Sequence, residues 1–181
     1  MSELDEAWTL GLAQAEERAR ALGRTDVAEY LALRSSNDLI RKVGSEWLLT
    51  MFTEAAGKAN RTGVGIQTAT EHAHRFKVGP AGMVGSSLRL ARGVRSLLLE
   101  VGWPRTPGDG FIRGGGLACA HIKHLGIQHA NEELRLIVNP EGVPSWMVLV
   151  KHGPAKEFHQ RNVDHHVAIL LHDSRNPPKR R

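Results

Sequence analysis

The residue types able to do chemistry gather around one stretch. From Gly102 to Gly116 the chain carries six glycines, two prolines, Arg105, Arg113 and Asp109 within fifteen positions. Ordering so many glycines costs backbone entropy, so such a loop, if ordered, does something the backbone itself is needed for. Gly108, Gly110, Gly114 and Gly115 let several N–H groups point at one anion, and Arg105 and Arg113 can add forked contacts to a phosphate or carboxylate. A second glycine run, Gly79 to Ser87, can line the same pocket. The spacing Gly108, Gly110, Gly114 misses G-x-G-x-x-G by one residue, and no G-x-x-x-x-G-K-[ST] occurs, so neither run is a nucleotide fingerprint. The plainer alternative is a structural connection whose Trp103-Pro104 and Phe111 rest on a sheet.

Acids and bases come next. Glu100 and Asp109 are the only acids between residues 75 and 125. Asp109, flanked by glycines, either bonds its own turn or is an exposed acid. With Glu100 and a histidine such as His121 it makes the constellation of a small hydrolase or phosphate-handling enzyme. Ten histidines are many for 181 residues. If their segments are strands, Asp164 and His166 share one face, as do His72 and His74, an arrangement that suits a metal held between two strands. No HExxH is present, and the sequence names no cofactor. The triplet Asp164-His165-His166 resembles, over three residues only, the signature of the DHH phosphoesterases; the upstream aspartates of that chemistry are absent, and no family follows from it. The single cysteine, Cys119, excludes an internal disulfide and reads as a small buried hydrophobe. No G-x-S-x-G elbow occurs.

Charge placement narrows the partners. The net charge of +5 is uneven: residues 75–125 hold eight basic side chains against two acidic ones, residues 1–34 hold four against seven, and residues 173–181 balance at +3. Concentrated positive charge marks a site for polyanions, most simply nucleic acid, through Arg89, Arg92, Arg95, Arg105, Arg113 and Lys123. With one tyrosine, four phenylalanines and four tryptophans, mostly at core-like positions, phosphate contact is expected rather than base reading. No apolar run approaches the ~20 residues of a spanning helix, so no membrane partner is expected. The acidic start lacks the pattern of a secretory signal, and the expected location is cytoplasmic.

These side chains need elements to position them. Leu4–Leu22 reads as a helix ended by Gly23, Val27–Leu33 as a short second helix, and the stripe Leu39, Ile40, Val43, Trp47, Leu48, Met51, Phe52, Ala55 as a third, capped by Ser35-Ser36-Asn37-Asp38. Beyond residue 60 glycines and prolines punctuate short strands: 66–70, 75–78, a hairpin turning at Arg92-Gly93, 133–138, 145–151 and 163–171. The hairpin register gathers Val84, Leu88, Leu90, Leu97, Leu99, Val101 and Trp103 on one face, and puts Arg89 diagonal to Glu100 on the other. Residues 117–125 fit a strand or a helix, with the strand preferred.

The expected fold is α+β, with N-terminal helices on a mainly antiparallel sheet or partial barrel of about six to seven strands. Residues 1–172 are expected to form one domain, helical to residue 60 and mainly β from 61, with 173–181 a disordered basic tail. Three functions compete: polyanion binding through the loop and hairpin, a hydrolase built on Asp109, Glu100 and His121, and an oligomeric scaffold that exposes an apolar helical face. Oligomeric state is left open.

Overall fold

Two periodicities divide the chain, and a computed structural model describes their outcome for residues 3–150 and 153–172. The helical period governs α1 (Glu3–Ala21) and α2 (Thr25–Asn60), and the strand period governs β1 (Gln67–Val78), β2 (Ala81–Arg92), β3 (Arg95–Trp103), β4 (Ala118–His124), β5 (Glu132–Val138), β6 (Pro144–Val148) and β7 (Lys156–Glu157). A third helix, α3 (Gln160–Leu171), follows. The basic tail and the end of the expected 145–151 strand lie outside the described residues.

The seven strands form one open antiparallel sheet in chain order, β1-β2-β3-β4-β5-β6-β7. The α+β class read from the sequence is therefore the observed one, as an open sheet rather than a barrel. Every connection joins neighbours, so no crossover is needed, and the long glycine-rich loop between β3 and β4 still links adjacent strands.

The chain divides into two compact units, Met1–Val43 and Gly44–Arg181. In the first, Gly23 at φ 72° turns the chain between the helices, and Leu12, Ala19 and Ala28 are buried. Arg34 lies 5.2 Å over the Trp8 ring. Trp8, Leu10, Tyr30, Leu33, Leu39 and Val43 remain exposed. The two helices expected at 27–33 and from 39 are one continuous helix. Asp38, expected among the caps, instead accepts from Arg41 Nη1 at 2.7 Å, an i,i+3 pair, and no proline or positive-φ glycine interrupts the run.

In the second unit one face of the sheet carries Leu88, Leu90, Leu97, Leu99, Val101, Ala118, Ala120, Ile122, Leu134, Leu136 and Trp146, all buried. Each large side chain removed from water there contributes about 1.5–3 kcal/mol. Helical side chains close over it: Leu48, Phe52 and Ala56 from α2, and Val163, Val167 and Leu170 from α3. The Phe52 and Phe158 rings stack with centroids 6.3 Å apart, and Trp146 Nε1 donates to the Gly44 carbonyl at 2.9 Å.

Two expectations about this unit are corrected. Residues 163–171 are not a strand but lie in α3, since Val163, His166, Val167 and Leu170 repeat at i, i+3, i+4, i+7 and are the buried positions. The β2–β3 turn is Gly93-Val94, with Arg92 opposite Arg95 and Leu88 opposite Leu99. A two-residue hairpin turn with positive φ at its first central position requires glycine there, and Gly93 at φ 57° supplies it. The shift moves the pairing by two residues, so the expected apolar face survives.

Candidate functional site

Strand alternation sends Glu100, His121, Lys123, Glu133 and Arg135 to the other face of the sheet, away from the helices. Glu100 sits opposite His121 across β3–β4, and His121 opposite Glu133 across β4–β5. A β-bulge adds the next member. β1 is continuous where two strands were expected, and Ala73, at φ 57°, shifts its register so that His72 opposes Ser86 while His74 opposes Gly85. The bulge thus sends His72 and His74 to opposite faces, which corrects the expectation that they share one, and it aims His74 at Glu100. A non-glycine residue in the left-handed region is strained, and this one directly precedes His74.

Glu100 is the hub. Its Oε1 lies 2.8 Å from His74 Nε2, its Oε2 lies 2.5 Å from Lys123 Nζ, and His121 Nδ1 approaches Oε2 at 3.7 Å. His74 Nδ1 in turn lies 3.1 Å from Glu71 Oε2. Burial alone pushes the Glu100 carboxyl up, but His121, Lys123 and His74 together outweigh it and hold the pKa at about 2. At neutral pH Glu100 is therefore a buried carboxylate, 5% exposed, among donors. His121 Nδ1 is buried without a hydrogen-bond partner, and its Nε2 stands 4.0 Å from Glu133 Oε2.

Beside this cluster opens a cleft of about 570 Å³, lined by His121, Lys123, Asn131, Glu132, Glu133 and the segment 148–150. Glu132 links it to a second histidine group on the helix-covered side, where His124 Nε2 lies 2.9 Å from His166 Nδ1 and His166 Nε2 lies 3.3 Å from Glu132 Oε2. Burial first, and the neighbouring His166 and His165 next, push the His124 pKa down to about 4 against the pull of Glu132, so this ring is neutral.

The other candidates scatter. Asp109 Oδ2 accepts from Arg105 N–H at 3.2 Å, Thr106 N–H at 2.8 Å and Thr106 Oγ1 at 2.9 Å, so it closes its own loop, and these bonds lower its pKa. It lies beside Gly82, whereas Glu100 pairs with Ser87, five residues along β2, or about 16 Å at the strand rise. The two acids do not converge. Arg92 Nη1 and Arg95 Nη1 donate to the carbonyls of Leu171 and Ile169 at 2.8 and 2.9 Å, satisfying the C-terminal end of α3. Arg105 lies 3.9 Å over the Trp103 ring. Arg89 and Arg113 are exposed, and Glu100 is paired with Lys123 and His74 rather than Arg89. Because 160–171 is a helix, Asp164 faces outward, bonded to Gln160 Nε2 at 3.0 Å, while His166 is buried, so these two do not share a face either. Among the described residues no group of three or more His, Cys, Asp or Glu is placed to hold a metal ion. Cys119 is fully buried, and burial pushes its thiol up to about 11.

Sequence reasoning missed Glu71, His74 as a partner of Glu100, Glu133 and Arg135. The alternation of Glu133 and Arg135 in β5 was a signal for one polar face; the bulge at Ala73 left none. No protein family matches the chain, nor does any curated protein or solved structure.

Proposed function

We propose that the open face of the sheet is a proton-transfer site for a small ligand seated in the cleft, which makes the chain an enzyme of the hydrolase kind. His121 is the acid–base group, Glu100 orients its ring, and Lys123 keeps Glu100 ionised. The observation that carries this reading is the 3.7 Å gap between a buried carboxylate and the buried, unpartnered Nδ1 of His121, a residue that lines the cleft. Long contacts of this type tighten when a ligand excludes water, and a positioned acid–base group contributes typically ~10²–10⁴-fold to rate. Asp109, tied into its loop, has no part in it.

The test is ligand mapping by amide chemical shifts with a small-metabolite library, followed by turnover of the ligands found. Shifts should cluster at residues 121–123, 131–133 and 148–150, and His121→Gln should lower turnover at least ~100-fold. Shifts elsewhere, or a fully active His121→Gln, would remove the reading.

A second reading, binding of nucleic acid as a phosphate-rich polyanion, draws support from Arg89 and Arg113, which are exposed and form no ion pair with a carboxylate among the described residues. It calls for RNA or DNA binding at low salt that weakens steeply as salt rises. Binding that ignores salt would exclude it.

A further inference from the structure

The inner part of the glycine-rich loop, Gly114 to Gly116, closes over a side chain far from it in sequence. A Cβ added at Gly114 would stand 2.7 Å from Arg135 Nη1, and one at Gly116 would stand 2.6 Å from Arg135 Cγ and 3.1 Å from the Leu136 carbonyl. Both glycines have positive φ, 79° and 101°, so side chains are excluded there by conformation as well as by space. The loop is anchored at this point, since Leu117 N–H donates to the Leu136 carbonyl at 2.8 Å. Beneath it the Arg135 side chain is largely covered, 15% exposed. Its Nε–H is buried without a hydrogen-bond partner, and its carboxylate contact, Glu133 Oε1, stands 3.8 Å from Nη2, beyond hydrogen-bond distance. Its neighbour across the β4–β5 pairing is Cys119, which burial keeps as a neutral thiol; the thiol takes a side-chain hydrogen bond from Arg135 but supplies no counter-charge.

A buried, unused Nε–H is costly unless an oxyanion completes it. The planar fork of Nε–H and Nη–H fits two oxygens of one carboxylate or phosphate. We propose that Arg135, roofed by Gly114 and Gly116, is an oxyanion-binding subsite that holds the carboxylate or phosphate group of a small ligand. Arg135 lies opposite Cys119 and diagonally across β4–β5 from His121, so the two residues share a face with backbone positions about 7–8 Å apart. The substrate class that follows is a compact anionic molecule, anchored at Arg135 and reacting at His121. This assignment of the ligand's chemistry rests on the proton-transfer reading, whereas the subsite itself is testable without it.

The experiment is titration of the isotopically labelled protein with inorganic phosphate and, separately, with acetate, following the Arg135 Nε–H signal and the Gly114 and Gly116 amides. Saturable shifts of these three signals are expected, lost in Arg135→Gln and weakened at least tenfold in Arg135→Lys, which keeps the charge but not the fork. Saturation by phosphate alone would assign a phosphate group, and by acetate as well a carboxylate-sized site. Because the wild-type Nε–H is read directly, the result stands even if Arg135→Gln misfolds. An Nε–H signal that neither anion moves, or anion shifts confined to Arg89 and Arg113, would overturn the subsite. His121→Gln should bind phosphate as the wild type does while losing turnover; phosphate shifts present in the wild type with a fully active His121→Gln would overturn the proton-transfer reading alone, and no phosphate shift in the wild type with an inactive His121→Gln would overturn the subsite alone.

Discussion

The two faces of the sheet both bury ionisable side chains, and they resolve the cost in opposite ways. On the helix-covered face His124 meets another histidine, His166, with aromatic rings around it: Phe52 and Phe158 lie with centroids 6.2 and 6.3 Å from His166. Lacking sufficient counter-charge, His124 stays neutral, with its pKa at about 4. On the open face Glu100 is buried to a similar degree, yet Lys123 and His74 donate to it directly and His121 stands near, so it stays ionised with a pKa at about 2. Burial sets the cost of a charge, and local donors decide whether the group sheds it. A neutral His124 bonded to His166 joins the sheet to α3, whereas a retained carboxylate ringed by donors is suited to positioning a base.

The strongest way to break this contrast is to empty the helix-covered face. Phe52→Ala removes a fully buried ring that touches both Phe158 and His166 and should cost about 3–5 kcal/mol in urea unfolding. A loss below about 1 kcal/mol would mean that the helical cover contributes little to this face.

Acid titration sharpens the contrast. The His124 pKa is depressed by folding, so its contribution is whole above about 6.5 and is lost as pH falls towards 4; the Glu100 contribution is whole above about 4.5 and is lost as pH falls towards 2. Each amounts to about 3 kcal/mol when fully lost. His124→Phe should therefore flatten the stability profile between pH 6.5 and 4, and Glu100→Gln should flatten it between 4.5 and 2. Identical profiles for wild type and variants would contradict the assignment of charge states.

The smallest effect concerns the arginines at the helix end. Arg95→Ala removes a donor to the Ile169 carbonyl, and the loss should be about 1 kcal/mol, largely independent of added phosphate. Strong phosphate stabilisation of the wild type that vanishes in Arg95→Ala would return this side chain to the anion-binding set.

Much of the fold was legible in local pattern. The β2–β3 hairpin kept its apolar face even though its turn lies one residue further along, because a two-residue shift in pairing preserves which side chains share a face. The strand preferred for 117–125 is β4, which places Cys119, His121 and Lys123 together as its alternation requires. Residues 163–171 misled because a valine- and leucine-rich run fits both periods, and only the buried positions separate them. Of the candidate acids and bases, Glu100 and His121 converge and Asp109 does not, since nothing in a glycine-flanked aspartate tells its own turn from a distant partner.

By itself the sequence determined the α+β class, the concentration of basic residues in 75–125 and the polar face of the central strands, since these depend on composition and on residues two to four apart. Tertiary structure alone decided that Ala73 bulges and turns His74 to Glu100, that Arg92 and Arg95 serve the end of α3, and that Gly114 and Gly116 close over Arg135. Each of these joins partners about twenty to about eighty residues apart or hangs on one residue of register, and no local preference records where a distant strand or helix end comes to lie.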